Sequence, residues 1–82
     1  MLFVHGDAGN YAYVMRDMAF PIDIVFIGPD RHITTIHHAE VEEPPLTRYR
    51  GYARWVLEVP YRWTDRHGVA VGDRVRNDPG DA

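Results

Sequence analysis

Cysteine and lysine are both missing from these 82 residues. Without cysteine there is no disulfide to staple a small domain and no thiolate to bind a metal, so the hydrophobic 45% must build the core alone. A single domain of this size buries only about 60% of the surface its unfolded chain exposes, which leaves a thin stability margin. With no lysine, nine arginines face twelve acidic residues, for a net charge of −3. That balance excludes the basic footprint expected of a nucleic-acid or anionic-lipid partner. Also missing are the roughly 20 consecutive apolar residues a membrane helix needs and the basic-then-apolar start of a secretory signal. The chain is therefore expected to be soluble, in a compartment the sequence does not assign.

What is present is strand-like. Ile22 to Ile27 reads Ile-Asp-Ile-Val-Phe-Ile between Pro21 and Gly28-Pro29. A short β-branched and aromatic run of this kind predicts a strand covered on both faces. Gly28-Pro29-Asp30-Arg31 predicts a type I turn, with His32 to His38 as the returning strand. Met1 to Val4 and Tyr11 to Met15 flank a glycine-rich Gly6 to Asn10 turn, so these two runs predict another hairpin. Glu40 to Tyr52, with Pro44-Pro45, predicts the longest irregular loop, and Arg54 to Val59 a strand with Trp55, Leu57 and Val59 on one face. Trp63 to His67 suits one or two helical turns closed by Gly68, and Arg74 to Arg76 a last short strand. The expected architecture is one domain over residues 1–76, mainly β, a small antiparallel barrel or sandwich of five to seven strands with one short helical turn. The polar tail 77–82 is expected to be disordered.

Asp23 is the residue that demands chemistry, since an ionised carboxylate in an apolar strand costs several kcal/mol unless it is paired. In the plainer reading it forms an ion pair or accepts backbone N–H bonds from the Arg16 to Ala19 turn. In the sharper one Arg16, Asp17, Asp23 and Glu58, with Met15 beside them, line a pocket for a small polar ligand beneath the 40–52 loop. These five are the candidate ligand-binding residues, and no catalytic residue is assigned. Glu58 on its own reads as an exposed strand residue paired with an arginine.

The five histidines do not compose a metal site. His37 and His38 are consecutive in a strand and point to opposite faces, and His32 and His38 lie too far apart on one strand to share an ion. No metal and no cofactor are expected. Arg48, Tyr49, Arg50, Tyr52 and Arg54 interleave bases with aromatics, but Glu40, Glu42 and Glu43 just upstream cancel the field and predict a self-paired loop.

Three blocks in order resemble the DUF192 family, also called UPF0127: Met1 to Val4; Tyr13-Val14-Met15-Arg16-Asp17 with Pro21 to Ile27; and Val56-Leu57-Glu58 with Gly68 to Val75. The chain departs from the family pattern at Val14, where tryptophan is usual, and at Tyr61-Arg62, where Ala-Gly is common. It also begins without the leading strand and turn, as a short member or a truncated start would. The resemblance implies a β-rich fold and no established activity. The functional expectation is a non-enzymatic small-molecule-binding or accessory domain. The alternatives are a hydrolase using Asp23 and Glu58, or a structural module that forms a homodimer through its Met1 to Val4 edge.

Overall fold

A computed structural model describes residues 1–76, so the expected disorder of 77–82 lies outside the described residues. The elements are β1 (Leu2–Tyr13), β2 (Ile22–Ile27), β3 (Ile33–Ala39), β4 (Tyr49–Pro60) and the helical turn α1 (Trp63–Arg66). All six residues of β2 are buried, as its apolar run predicts. Beyond it the Arg31 amide donates to the Gly28 carbonyl at 2.9 Å, closing the predicted proline turn. Arg31 itself takes the left-handed backbone at φ 68°. β3 then returns antiparallel, pairing Asp23 with His38 and Ile24 with His37. The two histidines therefore point to opposite faces, as alternation requires.

The protein is mainly β with one short helix, as expected, but the sheet is open. Four strands lie in the order β1-β4-β2-β3, every pair antiparallel. β1 pairs with β4 and β3 with β2, leaving both as edges, so no barrel closes. The faces are covered instead by turns. On one, Met15 and Met18 from the Arg16 turn pack with Ile22, Ile24, Phe26, Ala39, Ala53 and Val56. On the other, Val69 and Val75 cover Val25, Ile27 and Ile33 beside Trp55, Leu57 and Val59.

Three expectations fail on pairing. Met1 to Val4 and Tyr11 to Met15 do not pair with each other as a hairpin, because β1 runs through the glycines and its two parts, Leu2 to Val4 and Gly9 to Tyr13, each pair with β4. Between the Val4–Trp55 and Gly9–Ala53 pairs β1 advances five residues and β4 two, a bulge that absorbs the predicted turn. It also shifts the phase of β4, since Ala53 and Val56 join the same core cluster although three residues apart. Secondly, β4 begins at Tyr49, so Tyr49, Arg50 and Tyr52 belong to a strand and not to the expected loop, while Arg54 lies in a strand as expected. A Cβ on Gly51 would lie 2.4 Å from Cγ of Phe26, so this strand position accepts no side chain. Finally, the last strand reduces to one bridge between Arg74 and His32.

Candidate functional site

The Asp23 carboxylate is wholly buried, and four donors surround it. One oxygen accepts the Arg62 amide at 2.9 Å and faces His38 Nδ1 at 2.7 Å. The other accepts the Thr64 amide at 3.1 Å and the Thr64 hydroxyl at 2.6 Å. Burial pushes the Asp23 pKa up, but the bonds from Thr64, His38 and the Arg62 and Thr64 amides outweigh it and hold the group below the ordinary aspartate value. Asp23 is thus ionised and accepts only, which makes His38 Nδ1 the donor.

This arrangement explains α1. Its capping position, Arg62, has φ 64° and supplies no side-chain cap of its own. Asp23 supplies one from β2, accepting the first free amides of a four-residue helix that would not persist alone. The partner is therefore the Arg62–Thr64 turn and not the expected Arg16 to Ala19 turn. Outside the carboxylate, His38 Nε2 lies 3.7 Å from an oxygen of Asp65, whose other oxygen accepts from Arg62 at 2.9 Å. Neither His38, Thr64 nor Asp65 was singled out from the sequence as a partner of Asp23. The usable signals were two complementary deficits, a carboxylate in an apolar strand and a helix start with no Ser, Thr, Asp or Asn before Trp63.

The five predicted binding residues do not converge. Arg16 and Asp17 line a cavity of about 220 Å³ with Met18, Val41, Glu42, Glu43, Pro44 and Leu46. Met15 is a buried core residue, 1% exposed. Asp23 and Glu58 are not part of that cavity wall. Register separates these two further: Asp23 pairs with Val59 and Glu58 with Ile24, so their side chains leave opposite faces of the sheet. The paired-carboxylate hydrolase fails on that geometry. Glu58 is half-buried, and burial pushes its carboxyl pKa up. Neither the expected full exposure nor an arginine ion pair is found for it among the described residues.

The other histidines are occupied locally. His5 stacks on Tyr11 at 3.6 Å and bonds the Tyr13 hydroxyl at 2.9 Å. His37 Nε2 donates to the Arg50 carbonyl at 2.8 Å, and His67 Nδ1 to the Trp63 carbonyl at 2.9 Å. His32 and His67 are exposed, but His5, His37 and His38 are half-buried. No group of three or more metal-binding side chains converges among the described residues. Glu42 accepts from Thr47 and Tyr49, which ties the 42–49 loop without the expected arginines. No helix among the described residues is long and apolar enough to cross a membrane.

This geometry can be set beside known proteins. A comparison with curated proteins finds no match. A crystal structure of a protein from Sinorhizobium meliloti, described as a candidate transcription regulator, is similar at a TM-score of 0.79 and 33% identity. The similarity covers 90% of this chain and 58% of that one, so the chain spans little more than half the relative's length. The family DUF192, described as uncharacterized, matches residues 1–77, nearly the whole chain, including the Pro21 to Ile27 block that carries Asp23 and the segment from Val56 to Val75 that meets it. On that match, the chain belongs to the DUF192 family.

Proposed function

We propose that this domain is a non-enzymatic binding or accessory module that takes a small polar ligand beside the Arg16 turn. The observation that carries the reading is the 220 Å³ cavity between Arg16, Asp17 and Met18 on one side and Val41 to Leu46 on the other. At roughly 30 Å³ per water, that is room for several waters or a ligand about as large as an amino acid. Both signs of charge meet apolar side chains there, which suits a ligand carrying ammonium and carboxylate groups. Glu42 is committed to Thr47 and Tyr49, so Arg16, Asp17 and Glu43 are the residues left for recognition. Asp17 sits at φ 56°, a left-handed conformation that aspartate tolerates better than most residues and that fixes its place in the turn.

The Sinorhizobium relative, described as a candidate transcription regulator, suggests a setting for such a module as one part of a regulator. The net charge of −3 supports leaving direct nucleic-acid contact out of this reading. The test is an amide NMR titration of labelled protein with pooled amino acids, amines and small hydroxy acids, without metal. Shifts confined to Arg16–Met18 and residues 41–46, lost in an Asp17→Asn, Glu43→Gln double variant, are expected. A spectrum that no pool changes, or one that changes elsewhere, refutes the reading.

A second reading, homodimerisation through the β1 edge, is favoured by the exposure of Leu2 and Val4, 52% and 63%, beside a groove of about 330 Å³. Sedimentation equilibrium at high concentration tests it, and a strictly monomeric protein refutes it.

A further inference from the structure

We propose that the groove separating β1 from residues 75–76 is a second ligand site, one that takes a single-chain amphiphilic carboxylate of the medium-chain fatty acid class. It goes beyond the cavity of the Arg16 turn, because it lies on the opposite face of the sheet, the one covered by Val69 and Val75. That cover stops short. Val75 packs over Val25, Ile27 and Ile33, while Leu2 and Val4 at the β1 edge stay exposed.

Register builds the floor. Val4 pairs with Trp55 and Trp55 with Ile27, and Leu2 pairs with Leu57, so these side chains stand on one face in cross-strand rows. From β1 across β4 to β2 such a row is about 10 Å long, close to an extended chain of about eight carbons. The groove measures about 330 Å³, which places it at the small end of ligand pockets. Backbone bonds build the far wall. The Val75 amide donates to the Arg31 carbonyl at 2.7 Å and the Ile33 amide to the Asp73 carbonyl at 2.9 Å, which sets Arg31 and Arg76 along the groove. Among the described residues no acidic side chain lines it.

Two properties of the site select the occupant. The wall is cationic, so the polar end of the ligand is an anion, and the exposed Arg76 guanidinium offers a fork that matches a carboxylate. The floor, by contrast, has nothing to offer a peptide. The main chain of β4 is spent on β1 and β2, so a peptide lying across it would leave its own N–H and C=O groups without partners. An alkyl chain carries no such groups. The tail therefore lies along Ile27, Trp55 and Val4, with the head at Arg76.

The probe is octanoate at concentrations where it is monomeric, with octanol and octylammonium as neutral and cationic controls, read by methyl NMR of labelled protein. Shifts are expected at Leu2, Val4, Ile27, Leu57 and Val75. Octanoate should bind more tightly than hexanoate by about two- to fourfold per methylene, a gain that ends once the chain outgrows the groove. Arg76→Gln should weaken octanoate by about threefold and leave octanol unchanged. Val4→Glu places an acid at an exposed position, so the fold is kept, and should weaken octanoate while strengthening octylammonium. Octanol or octylammonium binding the wild type as tightly as octanoate, shifts confined to residues 41–46, or no shift at millimolar octanoate overturns the proposal. Shifts at Leu2 and Val4 that follow protein concentration and not octanoate assign that wall to a second copy and overturn it as well.

Discussion

Replacing Asp23 by asparagine changes one atom and little shape, yet no orientation of the new amide satisfies its surroundings. With the NH₂ toward Thr64 it meets that residue's backbone N–H; turned the other way it meets the Arg62 N–H. The Thr64 hydroxyl and the His38 ring can reverse their roles, but a backbone amide cannot, so one buried donor always faces another. Leaving such a donor unmet costs about 1–3 kcal/mol, and two or three charge-assisted bonds weaken at the same time. A total of about 3 kcal/mol is expected, the lower end of the cost of breaking a buried ion pair. For a domain of this size that lowers the melting temperature by about 12 °C or more. Urea unfolding followed by tryptophan fluorescence is the assay, with Trp63 in α1 and Trp55 in β4 reporting on the two sides of the contact. The pH dependence is a second check. The folded pKa of Asp23 lies below its ordinary value of 3.8, so its stabilisation is present above that value and is lost as pH falls through the folded one. The wild-type and Asp23→Asn curves should therefore converge in strong acid. An asparagine variant within about 0.5 kcal/mol of wild type at pH 7, the ordinary range for surface substitutions, would refute the reasoning.

Thr64→Val keeps the shape but removes the 2.6 Å hydroxyl donor to Asp23. It should cost about 1.5–3 kcal/mol in urea melts and move the acid-unfolding midpoint to higher pH, and an unmoved midpoint contradicts it. Gly51→Ala drives a methyl into the Phe26 ring, itself wedged between Tyr13 and His37, and should destabilise by about 1–3 kcal/mol in the same assay. Glu58 is the opposite of Asp23: burial raises its folded pKa, so the folded state gains protons and loses stability as pH rises from the unfolded value toward the folded one. Glu58→Gln should therefore raise the melting temperature at pH 7 and show no advantage near pH 3, and equal gains at both would refute it.

What could be read from the sequence was what local chemistry settles. The β2 run, the Gly28-Pro29 turn and Gly68 at φ 65° each follow from residues within a few positions of one another. The hairpin expected of β1 fails because its glycines carry a local turn signal, whereas its partner β4 lies 36 residues away at Tyr13–Tyr49 and 55 away at Leu2–Leu57, and wins through Phe3 and Tyr13 packing against Phe26 and Val56. The site failed in the same way. Arg16, Asp17 and Asp23 are neighbours in sequence, but alternation turns Asp23 to the face where residues 62–64 arrive. The information was nonetheless present as two deficits, a strand carboxylate with no donors and a helix start with no acceptor. In a domain with no disulfide and a small core, neither deficit is affordable alone. Beside the bond from His38, each satisfies the other, and that pairing commits the chain after β4 to cross the Asp23 face.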